Sequence, residues 1–296
     1  MAEKMNFEEI HDLALRLSAE PPFTAENVYV DLLLTSAIGE IQPRFGFVLK
    51  GGTAVIKAWF PPYRFSYDLD FSHFAGESPR KQYRRYQKEL EKLVSDLGFR
   101  IVNPESDKHR EGGKVFVLKL LDTANHLRVP VKLSVSSIDE SPCFNPVTRD
   151  FKPLVEIPEK YELLYPAFVR KVSGASAVVL TPEELCAEKI RALATRGPGR
   201  EWSLLLRDVV DVREMDERGV LDTVLDSEKC LRKKFNAVRG TSYWRKFADF
   251  LSKPRGVKIR EEDLSIFFHP DVIDEKSAAR TVEKVRARLA EIFDDV

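Results

Sequence analysis

Two aspartates, Asp68 and Asp70, stand one residue apart in the stretch YDLDF. In a β-strand, residues i and i+2 project to the same side, so Asp68 and Asp70 share one face while Leu69 and Phe71 point to the other. Two carboxylates held together repel each other unless a cation lies between them, and carboxylate oxygens suit Mg²⁺ or Mn²⁺. The spacing therefore predicts a divalent-metal site on a strand.

A pair of glycines precedes the two aspartates. Gly51 and Gly52 follow the apolar run GFVLK, and a brief helix is predicted to begin near Thr53. Glycines after a strand let backbone N–H groups approach a phosphate closely, and the start of a helix adds partial positive charge. A phosphate-binding turn beside paired carboxylates is what phosphoryl or nucleotidyl transfer requires. Taken alone, however, a D-x-D or GG pair is usually a solvated strand face or a turn.

Predicted strands and helices alternate around these residues. GFVLK and YDLDFS predict strands, TAVIKAW predicts a short helix between them, and KVFVLKLL and RVPVKLSVS predict two further strands because of their β-branched residues. Residues 141–180 are dotted with prolines and predict only short strand-like pieces. From Thr181 onward the pattern is almost wholly helical, with Thr181 as a predicted helix cap and residues 222–237 as one predicted helix. The sequence predicts an α+β protein, with a core domain over residues 1–175 and a helical C-terminal domain over residues 176–296.

Composition narrows the function classes. The 296 residues include 47 basic and 47 acidic side chains, so any nucleic-acid surface must be a local patch. The most basic segment is KCLRKKFNAVRGTSYWRK, residues 229–246, which we interpret as a candidate RNA contact. The sequence has no apolar run long enough for a membrane span and no signal-peptide pattern at its start. We therefore expect a cytoplasmic protein without a membrane partner.

Three blocks of sequence carry a resemblance to a known family. LKGGTAVIKAWFPPYRFSYDLDF is followed by VPVKLSV and then by TPEELCAEKIRALATR with RDVVDV, over residues 49–212. In this order the blocks resemble the AbiEii-type nucleotidyltransferases, which are toxins of abortive-infection and type IV toxin–antitoxin systems related to the polymerase-β superfamily. The resemblance implies a polymerase-β-like core with a mixed sheet and Mg²⁺-dependent transfer of NMP from an NTP. It also implies RNA, typically tRNA, as the acceptor, and a cognate antitoxin as a partner.

The resemblance also assigns roles to individual residues. Asp68 and Asp70 match the metal-binding pair, and Lys132 and Glu183 match catalytic positions. The nucleotide-binding positions fall in the glycine turn, the R-x-S-x-D lead-in and the third block, at Gly51, Gly52, Thr53, Arg64, Ser66, Lys189 and Arg196. Many relatives carry an acidic residue two positions after the lysine of the second block, whereas this chain has Ser134.

Some of these residues also have simpler interpretations. An acid such as Glu183 in the first turn of a helix suits the helix dipole, and RDVVDV is also the pattern of a salt-bridge lattice along one helix. Lys132 and Lys189 show no obvious acidic partner nearby in sequence, so we expect both to contact one NTP in a cleft between the sheet and the helical half. The alternative functions are a protein nucleotidyltransferase or kinase-like enzyme, and a non-catalytic RNA- or partner-binding module.

Overall fold

The computed structural model describes residues 4–19, 23–74, 79–103, 114–137, 142–196, 202–252, 264, 266–268 and 273–294. The chain forms two compact units, Met1–Leu180 and Thr181–Val296. The first unit contains a mixed β-sheet with helices, and the second is helical. This arrangement confirms the predicted α+β class. Residue 175, the domain limit expected from the sequence, lies just before the last strand of the first unit.

Seven strands make up the sheet of the first unit. They are β1 (Val48–Lys50), β2 (Asp68–His73), β3 (Phe99–Ile101), β4 (Lys114–Asp122), β5 (Val131–Ser137), β6 (Val147–Asp150) and β7 (Ser176–Val179).

The helices of the first unit come before, between and after these strands in the chain. They are α1 (Phe7–Leu17), α2 (Ala25–Phe45), α3 (Gly51–Ala54), α4 (Pro79–Asp96), α5 (Glu159–Leu164) and α6 (Pro166–Ser173), and a π-helical turn (Val55–Trp59) continues directly from α3. The second unit is built from α7 (Pro182–Arg196), α8 (Trp202–Glu217), α9 (Val220–Asp226), α10 (Glu228–Asn236), α11 (Ser242–Ser252) and α12 (Glu275–Ile292).

The strand order β3-β4-β5-β2-β1-β7-β6 places β2 in the middle of the sheet. β2 runs antiparallel to β1 and parallel to β5. Leu69 and Phe71 are buried on one side of β2, and Leu133 and Val135 are buried on the same side of β5. The predicted alternation along β2 therefore holds, and this buried layer fixes which side chains emerge on the opposite face.

A buried ion pair joins α2 to the π-helical turn. Lys57 Nζ lies 2.5 Å from Asp31 Oδ1 and 2.7 Å from Thr35 Oγ1, and both charged side chains are almost fully buried. The other carboxylate oxygen of Asp31 accepts a hydrogen bond from the Leu154 N–H at 2.7 Å. Burial lowers the pKa of Lys57, and the charge of Asp31 opposes that shift. These contacts thus connect α2, the π-helical turn and the segment around Leu154.

Two parts of the chain differ from the sequence-based expectation. Residues 222–237 were expected to form one helix, but α9 and α10 are separated at Ser227, whose ψ of 66° is not helical. Aspartate and serine side chains compete for backbone hydrogen bonds, which favours a turn at Asp226–Ser227. The proline-dotted region 141–180 contains two short helices besides its strands.

None of the helices in the described part of the chain is both long and apolar enough to cross a membrane.

Candidate active site

Asp68 and Asp70 lie at the start of β2 and project from its face opposite Leu69 and Phe71. Their side chains keep 33% and 22% of their surface exposed, so both carboxylates reach solvent from the middle of a sheet. Backbone pairing with strands on both sides of β2 holds them in place. The sheet therefore presents two adjacent carboxylates on a rigid strand.

The parallel pairing of β2 with β5 brings two polar side chains to this carboxylate pair. Asp68 lies opposite Lys132, and Asp70 lies opposite Ser134. Lys132 Nζ is 3.2 Å from Asp68 Oδ2 and 4.0 Å from Asp70 Oδ1, so the ammonium group stands between the two acids. Ser134 donates a hydrogen bond to Asp70 Oδ1. Ser134, at the position where relatives carry an acid, thus orients one of the two carboxylates.

Gly51 allows the carboxylate of Asp70 to lie directly against the backbone of the glycine turn. Gly51 has a φ of +70°, and a Cβ atom at this position would lie 2.9 Å from Asp70 Oδ2. Both its backbone conformation and its missing side chain are therefore required where the turn leaves β1. The predicted proximity of the glycine turn and the carboxylate pair is what the structure shows.

Gly52 makes room for a buried arginine. A Cβ atom at this position would lie 3.2 Å from Cζ and Nη1 of Arg64 and closer still to Nη2. Arg64 is only 2% exposed, and its Nη1 donates a hydrogen bond to the carbonyl of Phe65 at 2.8 Å. The guanidinium group therefore supports the turn from beneath.

Thr53 and Ser66 are also buried, and they connect the turn to β2. Thr53 Oγ1 lies 2.5 Å from the carbonyl oxygen of Asp68 and 2.9 Å from Ser66 Oγ. With Arg64, these side chains were expected to contact the nucleotide, but in this structure their contacts hold the glycine turn against the strand of the two aspartates. The nucleotide-binding assignments of Thr53, Arg64 and Ser66 stay predictions.

Gly52→Ala is expected to lower the free energy of unfolding by about 1 to 3 kcal/mol, because the added methyl group has to displace the buried Arg64 guanidinium. Urea denaturation of the purified chain measures this change. Gly39→Ala in α2 is the matched control, since the nearest atom to its new Cβ is Ala175 Cβ at 3.9 Å. That control should be neutral or stabilising by up to about 1 kcal/mol. Equal stabilities for the two variants would contradict the close contact at Gly52.

The carboxylate pair meets the requirements of a divalent-cation site. Its ligands are hard oxygens on a rigid strand, and its two negative charges exceed the single positive charge of Lys132. The ammonium group, within 4.0 Å of both carboxylates, occupies the place of a cation between them. Asp68 and Asp70 therefore fit Mg²⁺ or Mn²⁺, with room for water ligands on the exposed side.

The third block of the sequence forms a second charged cluster, within the helical unit. Lys189 Nζ on α7 lies 2.8 Å from Asp208 and 2.7 Å from Asp211 on α8. Arg196, seven residues further along α7, lies 2.7 Å from the other carboxylate oxygen of Asp208. Both aspartates are buried, so their charges are compensated by the two cations of the neighbouring helix. The two aspartates of the RDVVDV block therefore form ion pairs with the neighbouring helix α7.

The acidic residues at the start of α7 divide between the surface and the interior. Glu183 is half-buried and makes no hydrogen bond or ion pair with any described residue. Glu184 is buried and pairs with Lys234 of α10, while its backbone N–H is 3.4 Å from Thr181 Oγ1, as the predicted helix cap requires. The catalytic assignment of Glu183 and the nucleotide-binding assignments of Lys189 and Arg196 stay predictions.

Sequence reasoning missed the acidic partners of Lys132 and Lys189. Asp208 and Asp211 carried a usable signal, since their i, i+3 spacing puts both carboxylates on one face of α8, and the spacing of seven between Lys189 and Arg196 gives α7 a matching face. Asp31 and Lys57 carried no such signal, because each stands singly within an apolar segment.

Comparisons with known proteins bear on the identity of this site. The family described as "Nucleotidyl transferase AbiEii toxin, Type IV TA system" matches residues 33–291. No curated protein sequence matches the chain. Among solved structures, the chain is similar to JHP933 from Helicobacter pylori, with 14% identity, a TM-score of 0.45, and coverage of 93% of this chain and 96% of that chain.

An antigenic nucleotidyltransferase-like protein from Paracoccidioides brasiliensis is similar at 15% identity and a TM-score of 0.34, with 74% of this chain and 95% of that chain covered. The family match extends over most of the chain and includes all three blocks from which the resemblance was first inferred. The chain belongs to the AbiEii family of nucleotidyltransferase toxins from type IV toxin–antitoxin systems.

Proposed function

We propose that this nucleotidyltransferase transfers the NMP group of an NTP to an RNA acceptor, of which tRNA is the expected class, with Mg²⁺ or Mn²⁺ held by Asp68 and Asp70. One observation carries the proposal. The two carboxylates emerge together on the exposed face of β2, against the glycine turn, with Lys132 Nζ between them. A cation-binding acid pair beside a backbone turn is the arrangement that nucleotidyl transfer needs.

The chain's own residues bind and orient the substrate. Asp68 and Asp70 hold the cation, which when bound supplies charge neutralisation at the triphosphate. The Gly51 backbone lies against the Asp70 carboxylate with no side chain between them, so N–H groups of the glycine turn can approach phosphate oxygens there. Ser134 keeps the Asp70 carboxylate oriented through its hydrogen bond. The buried contacts of Arg64 and Thr53 keep the turn and the strand in register.

The transfer exchanges one bond at phosphorus for another. The hydroxyl oxygen of the acceptor forms a bond to the α-phosphorus, the bond from that phosphorus to the bridging oxygen of the β-phosphate breaks, and pyrophosphate leaves. The hydroxyl proton passes to solvent water. The Lys132 side chain is one third exposed and adjacent to the acid pair, so its Nζ could reach a phosphate oxygen of the bound NTP. Such a charge-assisted contact stabilises negative charge on the triphosphate.

Family membership also supports the biological role. A type IV toxin–antitoxin family implies a cognate antitoxin, and toxicity that is contained when the antitoxin is present.

The contribution of Lys189 and Arg196 to NTP binding remains part of this proposal. Their ion pairs with Asp208 and Asp211 mean that binding a phosphate would require a rearranged charge network.

Calorimetric titration of Mg²⁺–NTP into the full chain tests the metal role. We expect wild-type protein to bind, and Asp68→Asn to bind at least about tenfold more weakly, because charge-assisted contacts contribute roughly 1.5 to 3 kcal/mol each. Asp150→Asn is a suitable control, since Asp150 is an exposed carboxylate on the edge strand β6. Equal affinities for wild type and Asp68→Asn would leave the acid pair without a metal role.

Incubation with each labelled NTP and total RNA tests the acceptor. Label transferred to RNA in a Mg²⁺-dependent reaction supports the proposal, and sequencing the labelled species identifies the acceptor. Label appearing on protein indicates a protein nucleotidyltransferase or, with γ-phosphate label, a kinase-like enzyme. Binding of RNA without any transfer would indicate a non-catalytic module.

A further inference from the structure

The turn after α10 and the first half of α11 present an exposed basic and aromatic surface. We define the α11 surface as Arg239, Tyr243, Arg245 and Lys246, all of which are exposed. It is the second half of the segment 229–246, which contains seven basic residues and no acidic ones. All three cations of this half are exposed, whereas the first half has one exposed cation, Lys229, among its four basic residues.

The positive charges of the α11 surface have no carboxylate partner among the described residues. Arg239, Arg245 and Lys246 form no ion pair with a carboxylate in the part of the chain that the structure describes. In the preceding helix, by contrast, Arg232 lies 2.6 Å from Glu228, and Lys234 pairs with Glu184. Several other arginines of the helical unit are likewise paired with acids, namely Arg213, Arg218, Arg286 and Arg288. The α11 surface therefore combines cations that have no acidic partner among the described residues with an exposed aromatic ring.

Tyr243 stands among these cations without packing into the core. Its side chain is 49% exposed, and Lys246 Nζ lies 5.8 Å from the centre of its ring. The packed face of α11 is formed by Phe247 and Phe250 instead, which are buried. Trp244 is half-buried against Phe247, so it fixes the helix in place beside Tyr243. Packing of the helical unit thus gives no reason for an aromatic ring at position 243.

Exposed aromatic rings between uncompensated cations are the features that bind single-stranded nucleic acid. Every base has a π-face that can stack on an aromatic ring, and the phosphates between bases attract lysine and arginine. An acidic polypeptide would also be attracted by the cations, but it would gain little from an exposed tyrosine. The combination therefore favours RNA over an acidic protein.

We propose that the α11 surface binds single-stranded RNA, with a base stacked on Tyr243 and phosphates at Arg239, Arg245 and Lys246. The inference rests on the proposed function in one respect, since it supplies a docking surface for the RNA acceptor. The Nζ of Lys246 lies 3.5 Å from the carbonyl oxygen of Arg196, so the surface continues to the end of α7. RNA held there would contact the helical unit without using the ion pairs of Lys189.

Fluorescence anisotropy with a labelled oligouridine RNA and the full chain tests this surface. The titration is done in EDTA without NTP, so its result does not depend on whether the chain transfers nucleotides. Tyr243→Ala is expected to raise Kd roughly tenfold, and Tyr243→Phe to leave it unchanged, because stacking needs the ring and not the hydroxyl group. The double variant Arg245→Gln/Lys246→Gln should flatten the slope of log K against log salt by about 1.4, the value for two lost phosphate contacts on a single strand.

The matched control is Lys276→Gln/Arg280→Gln, which removes two exposed positive charges from α12. It should leave both Kd and the salt slope at the wild-type values. Thermal melting by circular dichroism checks that each variant is folded. Values for Tyr243→Ala and for the double variant that match this control would overturn the proposal. Tighter binding of labelled polyglutamate than of RNA would also overturn it, and would indicate an acidic protein partner.

Discussion

Asp70→Asn is expected to lower kcat/KM for nucleotidyl transfer by roughly 10³-fold or more, because the loss of one metal-binding carboxylate removes charge stabilisation at the phosphoryl group. The substitution keeps the size of the side chain and leaves an oxygen for the Ser134 hydrogen bond. The measurement is initial-rate transfer from labelled NTP to RNA. Expression of the wild-type chain should arrest growth, and expression of Asp70→Asn should not.

Stability measurements separate this loss of chemistry from a loss of structure. The free energy of unfolding of Asp70→Asn should stay within about 1 kcal/mol of wild type, since the ion pair that is weakened is partly exposed and a like charge beside Asp68 is removed. Mg²⁺ should raise the melting temperature of wild type and not of the variant. Asp96→Asn, at the C-terminal end of α4, is the control for transfer. Undiminished transfer by Asp70→Asn would refute the assignment.

The face of β2 that carries the site could be predicted because strand alternation is a local property. Asp68 and Asp70 must share a side wherever the strand lies, and the glycine turn is adjacent in the chain. The pairing of Asp68 with Lys132 could not be predicted in the same way. These residues are 64 positions apart, and β3 and β4 lie between their strands in sequence. Their register depends on the packing of the whole buried layer.

The structure shows protein contacts of several nucleotide-binding candidates that the sequence pattern does not reveal, and their assignments stay predictions. A sequence pattern places Arg64 and Ser66 near the acid pair, but it does not distinguish a side chain that contacts a ligand from one that supports the backbone beneath it. The close approach of Arg64 to Gly52 is a tertiary contact between a loop and a turn. The sequence pattern likewise does not reveal the contacts of Lys189, because its acidic partners come from the next helix.

Helix limits were predictable where caps are strong and failed where a turn interrupts an apolar pattern. The Thr181 cap places the start of α7 correctly, since its hydroxyl oxygen accepts the Glu184 N–H. The break at Ser227 was missed because the apolar spacing of α9 continues into α10, so the periodicity alone does not reveal two helices. Elements with strong local signals were thus recovered, and the contacts that connect them required the structure.

Lys57→Met is expected to lower the free energy of unfolding by about 3 to 5 kcal/mol, because it leaves the buried Asp31 carboxylate without its ammonium partner. Urea denaturation measures the loss. The exposed pair of Lys92 and Asp96 provides the matched control, since Lys92 Nζ lies 2.7 Å from its acid but is 69% exposed. Lys92→Met should cost no more than about 0.5 kcal/mol.

A second substitution distinguishes the loss of a charge partner from the loss of packing. In the double variant Lys57→Met/Asp31→Asn no uncompensated charge is buried, and the asparagine oxygen can still accept the Leu154 N–H. The double variant should therefore be more stable than Lys57→Met alone. If it is less stable, the pair contributes through packing. Because Lys57 belongs to the π-helical turn that continues from Gly51 and Gly52, we also expect transfer by Lys57→Met to fall at temperatures where the variant is still folded.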